Sequence, residues 1–150
     1  MNQEKIMKRR MISAIILWII TLIALLVFVG LYIDETKRVQ ETYIKQYKTE
    51  LSHAAKEMEL YIENKGDLEL RYKRISSYVS CAGSFAFLIE DQKKSQVVIN
   101  EVNTCLIKYP VQMSGKMEEL KTALEDMAAD LDKGYEEAKA VVDSIDKKGS

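Results

Sequence analysis

The chain has 150 residues, 22 Lys and Arg against 23 Asp and Glu, and a formal net charge of −1. That length suits one domain of ordinary size. Four bases and one acid fall in the first ten residues, so the remainder holds 18 bases and 22 acids; this mildly acidic balance argues against nucleic acid as a partner.

The first ten residues read as a basic tail, with Lys5, Lys8, Arg9 and Arg10 against Glu4. Met11–Ile33 follows with no charge across 23 positions. As a helix it measures about 34 Å, which matches a hydrocarbon core of about 30 Å. A buried helix of a soluble protein would carry a polar stripe, and here only Ser13 and Thr21 interrupt the apolar run. The expected partner of residues 11–33 is therefore a lipid bilayer. A cleavable signal peptide has a shorter apolar core and small residues at its end. Phe28-Val29-Gly30 places a bulky side chain where a small one is required, so the segment is expected to stay as an uncleaved anchor. Lys8, Arg9 and Arg10 abut one end of it and Asp34-Glu35 the other. Positive charge is retained on the cytoplasmic side. These three residues predict a single-pass protein with residues 1–10 in the cytoplasm and an extracytoplasmic domain over 34–150.

That domain spans about 117 residues, enough for one modest core. Its single proline, Pro110, and four internal glycines, Gly66, Gly83, Gly115 and Gly134, favour long helices. Apolar residues recur in steps of three and four: Ile44, Tyr47, Leu51, Ala54, Met58 and Tyr61, then Leu68, Tyr72, Ile75, Val79, Ala82, Ala86 and Ile89. A third series, Met117, Leu120, Leu124, Met127, Leu131, Gly134, Ala138, Val141 and Ile145, keeps the rhythm for four heptads. The expected fold class is all-α: the anchor continues into an antiparallel bundle of about four helices, 34–64, 67–90, 95–109 and 115–146.

Local signals place the boundaries. Asn64-Lys65-Gly66-Asp67 offers a glycine terminus followed by an Asp N-cap. Tyr109-Pro110 ends a helix, because proline disfavours helical geometry in the preceding residue. Ser114 is placed to cap the last helix, with Glu118 and Glu119 in its first turn and Lys147 and Lys148 at its end. The stretch 84–108 has a second reading. Val97, Val98, Ile99, Val102 and Ile107 are β-branched and Phe85–Ile89 is continuously apolar, so an α+β fold with a β-hairpin there is the alternative. Ile75–Ile89 carries no charge and is expected to be the most buried helix. The stripe over 117–145 exceeds what a short third helix covers, which suggests a homo-oligomer.

Cys81 and Cys105 match no zinc or redox spacing. Their midpoint, residue 93, lies in the polar run Glu90–Ser95. A chain reversal there brings the thiols to the same height, whereas one straight helix would hold them about 36 Å apart. In an oxidising compartment this favours a Cys81–Cys105 disulfide, worth about 3 kcal/mol in the chain-entropy account. Two buried free thiols are the other reading.

The chain has no Gly-x-Ser-x-Gly elbow, phosphate-binding glycine loop or His-Glu-x-x-His pair. His53 is the only histidine. Paired carboxylates such as Glu118-Glu119 and Glu136-Glu137 read as solvated helix faces. No catalytic residue, metal site or cofactor is expected, and the chain is not expected to be an enzyme. The expected role is a membrane-anchored extracytoplasmic interaction or scaffold protein, a component of a larger envelope assembly with other membrane or envelope proteins as partners. The alternative is a ligand-sensing module with a pocket around His53, Tyr78 and Tyr109, signalling through a separate protein.

Overall fold

The computed structural model describes residues 2–90 and 92–147, and the described residues form helices without a strand. Six helices follow in order: α1 (Asn2–Ile62), α2 (Leu68–Leu88), α3 (Lys93–Lys108), α4 (Pro110–Ser114), α5 (Met117–Ala129) and α6 (Tyr135–Asp143). Contacts divide the chain into two units, Met1–Val39 and Gln40–Ser150. The first unit holds only the N-terminal part of α1, with the side chains of residues 11–33 exposed throughout. The second holds the entire buried core.

In the second unit the apolar series on α1 is buried as spaced: Tyr47, Leu51, Ala54 and Met58 are wholly enclosed. The corner after it follows the chemistry of its residues. Asn64 takes the left-handed conformation (φ 54°). The Lys65 N–H reaches the Leu60 carbonyl and the Asn64 N–H the Tyr61 carbonyl, both at 3.0 Å, a Schellman closure with asparagine in the glycine position. Gly66 (φ 79°) completes the reversal, and the Asp67 carboxylate accepts from the Leu70 N–H at 3.1 Å as the N-cap of α2. Arg71 then locks the corner. Its Nη1 meets Glu57 Oε2 at 2.7 Å with both side chains mostly buried, and its Nε donates to the Lys65 carbonyl.

α2 and α3 form an antiparallel hairpin. The Tyr72 hydroxyl donates to the Leu106 carbonyl at 2.8 Å, and Gly83 lies against Ile99 and Asn100. The β-hairpin alternative over 84–108 is therefore corrected: the segment is the end of one helix, closing at Leu88, and a second helix from Lys93. The β-branched residues are compatible with helix because their burial has helical spacing, at Val98, Ile99, Val102, Cys105 and Leu106. Tyr109 (φ −127°, ψ 53°) interrupts the helix before Pro110, which occupies the first position of α4.

The expected last helix, 115–146, is two helices. α5 stops at Ala129 and α6 starts at Tyr135. Between them the Asp130 carboxylate accepts the Asp132 N–H at 3.1 Å, and Gly134 adopts φ 79° with its Cα pressed against the Ala123 carbonyl and Met127. A Cβ there would overlap the Ala123 carbonyl oxygen, so Gly134 is both the left-handed residue and the point of closest approach. Lys48 from α1 donates to the Ala129 carbonyl at 3.0 Å and satisfies the end of α5. The apolar stripe is thus folded back and buried within the chain, at Met117, Leu120, Leu124, Met127, Ala138, Val141 and Ile145, which removes the stated ground for self-association. Ser114 caps nothing in α5; its hydroxyl donates to the Val111 carbonyl inside α4. Lys148 lies outside the described residues.

α3 packs against α2, α4 and α6, and α5 packs against α6. Two glutamines tie loops to helices through both halves of their amides. Gln40 donates to the Leu88 carbonyl at 3.2 Å and accepts from the Glu90 N–H at 3.1 Å. Gln112 donates to the Asp146 carbonyl at 3.1 Å and accepts from the Asp146 N–H at 2.8 Å.

Candidate functional site

The two regions that the sequence singles out for function are the N-terminal anchor and the face of α1 that carries His53. In the first, Lys8, Arg9 and Arg10 are exposed and precede one apolar segment long enough to cross a membrane. The Ser13 and Thr21 hydroxyls are turned inward, donating to the Arg9 and Leu17 carbonyls at 2.9 Å. Each therefore hides its polar group against its own helix, and the outer surface over 11–33 is apolar on every side.

On the second unit, Glu41, Ile44, Lys45, Lys48, Thr49, Ser52 and His53 line an open groove of about 480 Å³ along α1. The His53 ring meets Tyr78 edge-on, with centroids 5.2 Å apart and planes at 61°. Two members of the expected His53, Tyr78 and Tyr109 constellation are thus adjacent. The third is placed elsewhere: the Tyr109 hydroxyl donates to the Lys147 carbonyl at 3.4 Å, where it ties the chain after α6 to the start of α4.

The disulfide expectation is not met: Cys81 is an exposed free thiol and Cys105 a buried one. The chain does reverse between them, but its register pairs Tyr72 with Leu106 and Gly83 with Ile99 and Asn100. Cys105 therefore stands opposite about residue 75, roughly 9 Å along α2 from Cys81. Cys81 also lies about 140° around α2 from the buried stripe of Ile75, Val79, Ala82 and Ala86. A disulfide needs Cα atoms within about 7 Å and converging Cβ vectors. Both thiols are held protonated at neutral pH. Desolvation and then the Glu50 carboxylate push Cys81 up, and burial pushes Cys105 up.

A polar interior is built from tyrosines that lie on or beside the apolar stripes. The Tyr47 and Tyr135 hydroxyls share a 3.2 Å hydrogen bond, and burial followed by that bond raises the Tyr47 pKa strongly. Tyr72 is pushed up to about 12, chiefly by burial and then by neighbouring Tyr61. Their positions on the apolar stripes were the available signal; their hydroxyl partners lie 34 to 88 residues away, beyond any local pattern. Among the described residues, no three His, Cys, Asp or Glu side chains are grouped to hold a metal ion.

Comparison of the chain with family models, curated proteins and solved structures returns no match.

Proposed function

We propose that the chain is a single-pass membrane protein whose helical unit acts as an interaction module within a larger envelope assembly. Residues 1–10 are assigned to the cytoplasmic side by Lys8, Arg9 and Arg10, and the helical unit to the opposite side. The observation that carries this reading is the surface of Met11–Ile33. Large apolar side chains there, from Leu22 at 38% to Phe28 at 70%, are exposed along the whole segment. Each costs about 1.5–3 kcal/mol when left in water, so the segment as a whole is penalised by tens of kcal/mol. That exceeds the roughly 5–15 kcal/mol by which a domain is stable, and a bilayer removes the penalty.

An interaction role is supported by how the reactive groups of the helical unit are used. The thiols are protonated, the buried tyrosines bond to one another or to backbone, and the histidine packs on the surface against Tyr78. The ligand-sensing alternative draws on the groove beside His53, which a single helix lines. A small molecule that raises the melting temperature of the wild type and not of a Thr49→Trp variant would favour it.

The cysteines supply the test. In intact cells a membrane-impermeant maleimide is expected to label Cys81 without prior reduction, and Cys105 only after denaturation. Labelling of Cys81 that requires permeabilised cells would put the helical unit on the cytoplasmic side. Photo-cross-linking residues at exposed Val97, Ile107 and Val111 are expected to yield adducts of defined mass, and the interaction role fails if none of the three does.

A further inference from the structure

The turn between α2 and α3 exposes apolar surface that the bundle does not use. Phe87 is 71% exposed and Leu88 43%, while Leu70, the other exposed large apolar side chain of α2, lies at the far end of the helix. The turn is not a loose end. Gln40 holds the chain where it leaves α2, through the Leu88 carbonyl and the Glu90 N–H, so Phe87 and Leu88 are fixed beside the first residue of the helical unit. Gln40 is seven residues beyond Ile33, the end of the uncharged segment. Seven residues span at most about 25 Å in any conformation. The headgroup layer on each side of a bilayer is about 5–8 Å thick. A pair of exposed large apolar side chains is thereby tethered within reach of the layer that the anchor would cross.

The nearby charges are mixed: Glu90 is exposed and Lys94 lines a cavity with Asp126, Asp132, Glu136 and Glu137, while Lys93 is an exposed cation. α3 begins with exposed Lys93 and Lys94 and has no acid in its first turn, whereas α2, α5 and α6 each carry glutamate there. Cations at a helix N-terminus oppose its dipole. Lipid phosphates at the same height would offset this.

We infer that the C-terminal end of α2 is a second membrane contact, with Phe87 and Leu88 in the bilayer interface and Lys93 at the level of the lipid phosphates. The inference rests on the anchor reading, and the two are separable because Trp18, the only tryptophan, lies inside the anchor. Three full-length proteins are reconstituted in vesicles of phosphatidylcholine with phosphatidylglycerol: the wild type, Trp18→Phe with Phe87→Trp, and Trp18→Phe with Ile107→Trp. Ile107 is 64% exposed near the far end of α3 and serves as the reference. Lipids carry a quencher either near the headgroup or deep in the acyl chain.

Trp18 should be quenched best by the deep probe. The tryptophan at 87 should emit to the blue of the one at 107 and be quenched by the shallow probe at least about twofold more strongly. Equal quenching at 87 and 107, with Trp18 still quenched from the deep position, overturns the second contact and leaves the anchor standing. Failure of the deep probe to quench Trp18 removes the anchor, and the inference with it.

Discussion

Gly134 has the most exacting geometry in the helical unit. Its φ of 79° costs an L-residue about 1–2 kcal/mol, and overpacking against Ala123 and Met127 adds a similar amount. Gly134→Ala is therefore expected to destabilise by about 3 kcal/mol, a fall of roughly 10 °C in melting temperature followed by circular dichroism in detergent. Gly115→Ala is the control: φ is −76° there and an added Cβ meets only the Gln112 carbonyl, at 3.5 Å, so the melting temperature should hold or rise slightly. The tyrosines set a pH limit. Tyr47 and Tyr72 both have raised folded pKa values, so above the unfolded value of about 10 the unfolded chain binds fewer protons than the folded one. Their contribution is fully present below that pH and is lost as pH rises through the folded value, near 12 for Tyr72. Urea midpoints measured from pH 9 to 11.5 should fall, and fall less steeply in Tyr47→Phe.

At the scale of elements, Arg71 is the side chain that ties the corner between α1 and α2 back to the body of α1. Arg71 joins Glu57 to the Lys65 carbonyl, with the Arg71 side chain 19% exposed and that of Glu57 14%. Arg71→Ala leaves the half-buried Glu57 with only the 3.5 Å contact to Arg74 and should cost about 2 kcal/mol in chemical denaturation. Arg71→Lys should recover less than half of that, since an ammonium cannot reproduce the fork. An unchanged denaturation midpoint in the alanine variant would show that the corner is held by its backbone alone.

The corner and the helix spacing were legible because their causes are local: a left-handed asparagine and glycine, an aspartate cap, and burial every three or four residues. The split of the last helix was not. The stripe keeps its phase from Met127 through Leu131 and Gly134 to Ala138, as it would along one helix, because α5 and α6 both face the same core. Gly134 read as a packing glycine, and only its φ distinguishes a turn. The uncharged run Ile75–Ile89 misled in the other direction. Lack of charge suggested burial on several faces, yet α2 buries one stripe and exposes Ser77, Ser80, Cys81, Ser84 and Phe87. For the cysteines, spacing revealed the reversal but carried neither register nor azimuth.

For the whole molecule, function turns on where the first unit sits. The helical unit buries its own apolar stripes and needs no lipid to do so, whereas the side chains of residues 11–33 are exposed. The direct measurement is alkaline carbonate extraction of membranes from cells making the full-length protein, followed by ultracentrifugation with and without detergent. The account expects the protein in the pellet after carbonate and in the supernatant only once detergent is added. Full-length protein that is monomeric and soluble without detergent would contradict it.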